Sequence, residues 1–235
     1  MYPFHKDLTS PPDVAFPVPP SPAIGQVLSA YSNARRGDGG ATRFFRGLGQ
    51  GTIVNYVGEA GLQLSCKGLG EPVETSVRFE DVDRLCVERV RVVTNGVARE
   101  VFKLRFLPPG GDEPIFEIDG YGFNGAFQFA TAAERAWNAY KAPRVLADFA
   151  RTGVAEFRST GEFVVRVTAD ALTAGVPRTV LRSQPRRALT DLYLNNGRLY
   201  ADPPLGNHAE VAGTGLGNFQ VLLLLLSNLG YPLRG

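Results

Sequence analysis

Histidine, cysteine, methionine and tryptophan are all scarce in this chain of 235 residues, with two His, two Cys, one Met and one Trp. So few cysteines exclude the dense disulfide framework on which small secreted domains depend. Cys66 and Cys86 read as two buried thiols in strands, and the sequence leaves a single bridge between them open. His5 and His208 are far apart, and no cysteine or carboxylate cluster accompanies either, so no metal site is expected. Neither histidine neighbours a nucleophile motif. The reading is therefore a non-enzymatic chain with no catalytic residue and no cofactor.

An excess of one charge is also missing. Lys and Arg number 25 against 23 Asp and Glu, a net charge of +2. A dedicated nucleic-acid binder would carry a basic stripe, so nucleic acid is not an expected partner. Long apolar runs are absent too. The most hydrophobic stretch, Val221 to Leu226, is far below the ~20 residues that span a bilayer. The start, Met1-Tyr2-Pro3-Phe4-His5-Lys6, lacks the basic region and apolar run of a signal peptide. These absences give the expectation of a cytoplasmic protein with no transmembrane segment.

What the chain has is proline at its start and alternation afterwards. Residues 1–22 carry Pro11, Pro12, Pro17, Pro19, Pro20 and Pro22. They read as a tail, either a tether or an arm lying along the fold, because no flanking basic residue supports an SH3-type ligand. Ile24, Val27, Leu28 and Tyr31 fall at spacings of three and four, which predicts a short helix. Arg36-Gly37-Asp38 looks like an adhesion triplet, but chance is the simpler reading without a secretion signal.

From Phe44 the pattern becomes that of strands. Thr52–Val57, the turn Gly58-Glu59-Ala60-Gly61 and Leu62–Cys66 give a hairpin. Residues 82–93 and 101–107 alternate around Asn95-Gly96, a strong hairpin signal. Helical spacing then takes over at Phe127, Ala130, Ala133, Ala136, Trp137 and Tyr140, with Thr131 and Glu134 as a capping box. Pro143 reads as the end of that helix or the first turn of another, and Gly153 as the stop. The rest repeats the theme. Residues 163–168 alternate, Gly175 marks a turn, Asn196-Gly197 makes a second hairpin, and an apolar helix closes the chain from Asn218 to Leu229. The length suits two domains of about 100 residues. The boundaries predicted are a tail over 1–22, a first domain over 23–142, a linker helix over 143–152 and a second domain over 153–235.

The order of strands and helix, and the stretches Ile24 to Tyr31, Glu59-Ala60-Gly61-Leu62, Phe79-Glu80-Asp81-Val82, Gly153-Val154-Ala155-Glu156-Phe157, Asn196-Gly197-Arg198-Leu199 and Gly217-Asn218-Phe219, carry a resemblance. The chain resembles a poorly characterised family of tandem pleckstrin-homology-like proteins. An aromatic residue expected before the middle strand of the second domain is not clear around Arg182 to Ala188. The resemblance implies an α+β fold of two tandem domains, each a bent antiparallel sheet closed by a C-terminal helix. It implies a binding or scaffolding role and no catalytic residues. Relatives of that superfold that bind phosphoinositides place basic residues around the first hairpin, and Glu59 points away from that mode.

Two glycine-rich stretches are weighed and set aside. Gly213 to Asn218 precedes a helix but lacks a following strand and a distant acidic residue, so it reads as a helix entry capped by Asn218. Gly47 to Gly51 precedes a strand and has no helix N-terminus to hold a phosphate. Two candidate surfaces remain. Arg178, Arg182, Arg186 and Arg187 form a basic cluster that would suit an anionic phospholipid headgroup, against the simpler reading of a solvated face. Leu222, Leu225 and Leu226 would line a protein interface, against the simpler reading of a helix buried by its own domain. A protein partner or a homo-oligomer is the leading expectation, and anionic lipid the alternative.

Overall fold

The computed structural model describes residues 6–7, 19–32, 52–67, 73–94, 97–119, 126–177, 180–205, 208–213 and 215–234. Strands β1 (Lys6–Asp7), β2 (Val27–Ser32), β3 (Thr52–Gly58), β4 (Gly61–Lys67) and β5 (Val73–Arg78) form one sheet in chain order. A second sheet holds β6 (Arg84–Thr94), β7 (Val97–Leu107) and β8 (Phe116–Asp119). Helix α1 (Ala126–Thr152) follows. The third sheet, ordered β12-β11-β10-β9, comprises β9 (Val154–Arg158), β10 (Val164–Thr168), β11 (Ala171–Val176) and β12 (Val180–Pro185). The fourth contains β13 (Asp191–Asn195), β14 (Arg198–Leu205) and β15 (His208–Gly213), with β16 (Leu233–Arg234) pairing parallel to β13. Helix α2 (Phe219–Asn228) lies between β15 and β16.

This sheet-dominated architecture corrects the pleckstrin-homology-like expectation. Among the described residues the strands fall into four sheets of five, four, four and three strands, not two bent ones. Each break coincides with a short 3₁₀ turn, Phe79–Asp81 between β5 and β6 and Arg186–Ala188 between β12 and β13. Phe79 is fully buried at the first break, and Pro185 cannot donate to a ladder at the second. Nor does each half end in a helix of its own alone. The 27-residue α1 sits mid-chain and runs unbroken through Pro143, so residues 143–152 are not a separate linker helix.

Helix α1 works for both halves because its apolar stripe changes sides. At about 100° per residue, Phe129, Ala133, Ala136 and Tyr140 share one face. Ala142, Val145, Leu146 and Phe149 share the opposite one. The first set packs in the N-terminal core with Leu62, Phe79, Leu104 and Phe106. The second packs in the C-terminal core with Phe157, Val165, Leu192 and Leu222. Trp137 is buried at the centre of the first core, 5.5 Å edge-on to Phe79 and 6.2 Å from Phe106. The carbonyl of Tyr140, near the proline, accepts from Arg144 Nη1 at 2.6 Å, and the Arg144 guanidinium stacks on the Tyr140 ring. The helix stops where Gly153, at φ +72°, donates its N–H to Phe149 O at 2.7 Å.

Local expectations fare unevenly. Residues 27–31 belong to a strand, not a helix. Gly25 at φ +74° breaks any helical run, and β2 pairs with β3 from Val27 to Ser32. Thr131 lies inside α1, five residues beyond its first described residue, so it does not cap it. Gly175 lies within β11, opposite Val164 and Leu181, and not in a turn. Asn196 and Gly197, both at positive φ, do form the tight connection between β13 and β14. Asn95-Gly96 lies outside the described residues. At Gly58 a side chain would collide with the carbonyl of Ile24, so the β3–β4 turn needs glycine there. No disulfide joins Cys66 and Cys86, and of the two only Cys86 is buried, Cys66 being half-buried.

The two halves meet at Asn218. It occupies the position before α2 at φ +59°, yet its side chain makes no capping bond. Instead Oδ1 accepts from Leu85 N at 3.0 Å and from Trp137 Nε1 at 2.9 Å, and Nδ2 donates to Asp83 O at 3.1 Å. Its backbone N–H donates to Leu85 O at 2.8 Å. Beside it, buried Arg84 donates from Nη1 to Ser159 O at 2.8 Å, and Gly217 N donates to Arg158 O at 2.8 Å. Substituting Asn218→Ala strands two buried N–H donors, each worth about 1–3 kcal/mol, and adds roughly 1 kcal/mol of left-handed strain. A loss of about 3 kcal/mol or more is expected in urea unfolding followed by Trp137 fluorescence. A loss below about 1 kcal/mol, the scale of one ordinary hydrogen bond, would contradict this assignment.

Candidate functional sites

A recess opens between β2 and α1. It encloses about 500 Å³, with Leu28, Tyr31 and Val57 on the sheet side and Ala132, Ala136 and Ala139 on the helix side. The alanines recur at helical spacing, and their short side chains leave a trough where longer ones would fill it. Thr131 and Arg135 give it a polar margin. Leu28 is 40% exposed at its edge. The β2 edge beside this trough receives an extended segment of the same chain. Lys6 pairs with Ala30 and Asp7 with Ser29, antiparallel. Among the described residues the pairing covers only these two positions. Further along the arm, Gln63 holds the segment before β2, accepting from Ser21 N at 2.6 Å and donating to Pro19 O at 3.1 Å.

The sequence missed this groove because the spacing of Ile24 to Tyr31 imitates a helix. A signal was available. Val27 and Tyr31 are residues that favour strands, and an alternating partner stretch begins at Thr52.

The basic cluster is only partly assembled. Arg178 lies outside the described residues. Arg182 lies on β12 opposite Ala174, and its buried Nη1 has no hydrogen-bond partner. Arg186 and Arg187 converge on a cleft of about 680 Å³ between the Arg186–Ala188 turn and the chain beyond α2. Arg182 does not line that cleft. Tyr231 forms part of its frame. Its hydroxyl donates to Thr168 O at 2.9 Å, and the Arg186 guanidinium lies 5.7 Å from its ring centre.

The leucines expected at an interface are interior. Leu222, Leu225 and Leu226 are 0%, 1% and 0% exposed and belong to the C-terminal core. Of that run, Leu224 is the exposed member. The apolar face at these three positions is therefore covered by the chain itself.

Chemistry elsewhere is quiet. Among the described residues no group of three or more His, Cys, Asp or Glu is placed to hold a metal ion. Burial pushes the Cys86 thiol up to about 11, which suppresses its thiolate near neutral pH. No helix among the described residues is long and apolar enough to cross a membrane.

Burial also pushes the phenols of Tyr56 and Tyr231 from 10.0 up to about 12, with the Arg186 charge pulling Tyr231 back slightly. The unfolded chain releases these protons at the ordinary value while the native state retains them. Stability from this source is thus complete below pH 10 and is lost as pH rises toward 12. Urea midpoints measured across that range are expected to fall less steeply for Tyr231→Phe than for the unsubstituted chain. Parallel curves would show that Tyr231 is not held in its neutral form. Neither a protein-family model nor a curated protein sequence matches the chain, so the reading of these surfaces rests on their own geometry.

Proposed function

We propose that this chain is a non-enzymatic protein-binding module that accepts an extended polypeptide segment as an added strand on β2, beside α1. The observation that carries the reading is the antiparallel pairing of Lys6 and Asp7 with Ala30 and Ser29 next to an apolar trough. Strand addition supplies affinity through main-chain hydrogen bonds, and an adjoining pocket supplies selectivity through side chains. Both parts are side by side here. A longer segment that also places an apolar side chain in the trough would compete with the arm for this edge. That segment can belong to another protein or to a second copy of this chain, which makes the module a scaffold in either case. A near-balanced net charge of +2 sets up little long-range repulsion between copies.

The test uses the chain lacking residues 1–18 and a synthetic peptide of those residues. Saturable binding by calorimetry is expected, weakened by about tenfold or more, the equivalent of ~1.4 kcal/mol, when Ala132→Leu fills the trough. Light scattering of the full chain at rising concentration reports whether copies exchange the segment. Failure of the peptide to bind, or binding indifferent to Ala132→Leu, would remove the proposal.

A further inference from the structure

The cleft at the far end of the C-terminal half carries an inference of its own, independent of the β2 groove. We propose that it binds a phosphomonoester, with the guanidinium groups of Arg186 and Arg187 as the donors to the phosphate. The two arginines are adjacent in the chain, yet both line the same recess of about 680 Å³. Among the described residues neither makes an ion pair or a side-chain hydrogen bond, whereas Arg78, Arg84, Arg105, Arg158, Arg166 and Arg198 each have a carboxylate partner. Two like charges converging on one recess repel each other until an anion enters it. A guanidinium fork matches the oxygens of a phosphate in a way that a lysine ammonium does not.

The site is also held in place. Arg186 N donates to Asp170 O at 2.7 Å, which anchors the turn to the β10–β11 connection. The ring of Tyr231 supports the Arg186 guanidinium from one side. That ring is fixed by the end of α2, where Gly230 N donates to Ser227 O at 2.9 Å and Tyr231 N to Leu226 O at 3.0 Å. Gly230 is at φ +68°, and a side chain there would come within 3.0 Å of Arg186 Nη2. Asp170 also lines the recess and, among the described residues, makes no ion pair with either arginine, so the lining residues keep one net positive charge. Pro185, Leu189 and Pro232 complete an apolar wall for the organic part of the ester. The wall and the paired donors together favour a phosphate ester over a bare inorganic anion.

The full chain is titrated with phenyl phosphate, with inorganic phosphate, with a glutamate-rich peptide and with phosphatidylcholine vesicles with or without phosphatidic acid. Saturable phenyl phosphate binding is expected, tighter than inorganic phosphate, and weakened by about tenfold in R186Q and in R187Q but not in R151Q. Circular dichroism checks that all three variants fold. Vesicle binding that requires phosphatidic acid and is competed by phenyl phosphate identifies a membrane headgroup as the source of the ester. Phenyl phosphate binding without vesicle binding identifies a soluble ester. Absence of saturable phenyl phosphate binding, equal weakening by R151Q, or binding of the acidic peptide alone would overturn the assignment.

Discussion

One buried amide organises this molecule. The side chain of Asn218 satisfies a backbone donor and a backbone acceptor of the β6 region and the indole N–H of the only tryptophan, all from the doorstep of α2. Each of those groups is buried or partly buried, where an unpaired polar atom is costly. The geometry requires a left-handed backbone at a non-glycine residue, a conformation asparagine tolerates better than most. Arg84 and Gly217 then close the seam around it, with Gly217 lacking a side chain where one would meet Arg158 O and the stem of Arg84. The residue that pattern alone would assign to capping its own helix serves the other half of the protein.

The seam and the two-faced helix act together. Helix α1 gives its first half to one core and its second half to the other. A hinge at Pro143 would let the halves move, but the helix is continuous there. Rigid halves matter for both surfaces. The trough beside β2 has its width set by how α1 lies on the N-terminal sheets. The arginine cleft is framed by the end of α2, whose beginning is tied to the seam. Solvent-facing strand positions meanwhile carry cross-strand pairs such as Arg166 with Glu156, where hydrogen bonding to Arg166 chiefly holds the Glu156 carboxyl below its usual range. Such exposed pairs add little stability. They keep those faces polar.

Much of the fold was legible where a single physical preference acts alone. Alternation located β6, β7 and β10, and Asn196-Gly197 announced its turn because few other pairs accept positive φ twice in succession. Gly153 announced the end of α1 for the same reason. Reading failed where two preferences compete. Ile24 to Tyr31 has helical spacing, but the ladder to β3 outweighs it. Pro143 argues for a helix end, but packing on both cores carries the helix past it. The split of each expected bent sheet into two depends on tertiary contacts of Phe79 and on the turn after Pro185, which no period reports. Of the sites, the convergence of Arg186 with Arg187 was visible as a charge cluster. Their separation from Arg182 was not, since β12 ends at Pro185 and the 3₁₀ turn Arg186–Ala188 redirects the chain after it. The role of Asn218 was invisible because its partners are more than 80 residues away.

If the Asn218 seam makes the two halves one cooperative body, differential scanning calorimetry is the most direct check. The account predicts a single transition whose calorimetric enthalpy equals its van't Hoff enthalpy. Two resolved transitions in the unsubstituted chain, or a calorimetric enthalpy clearly exceeding the van't Hoff value, would contradict it.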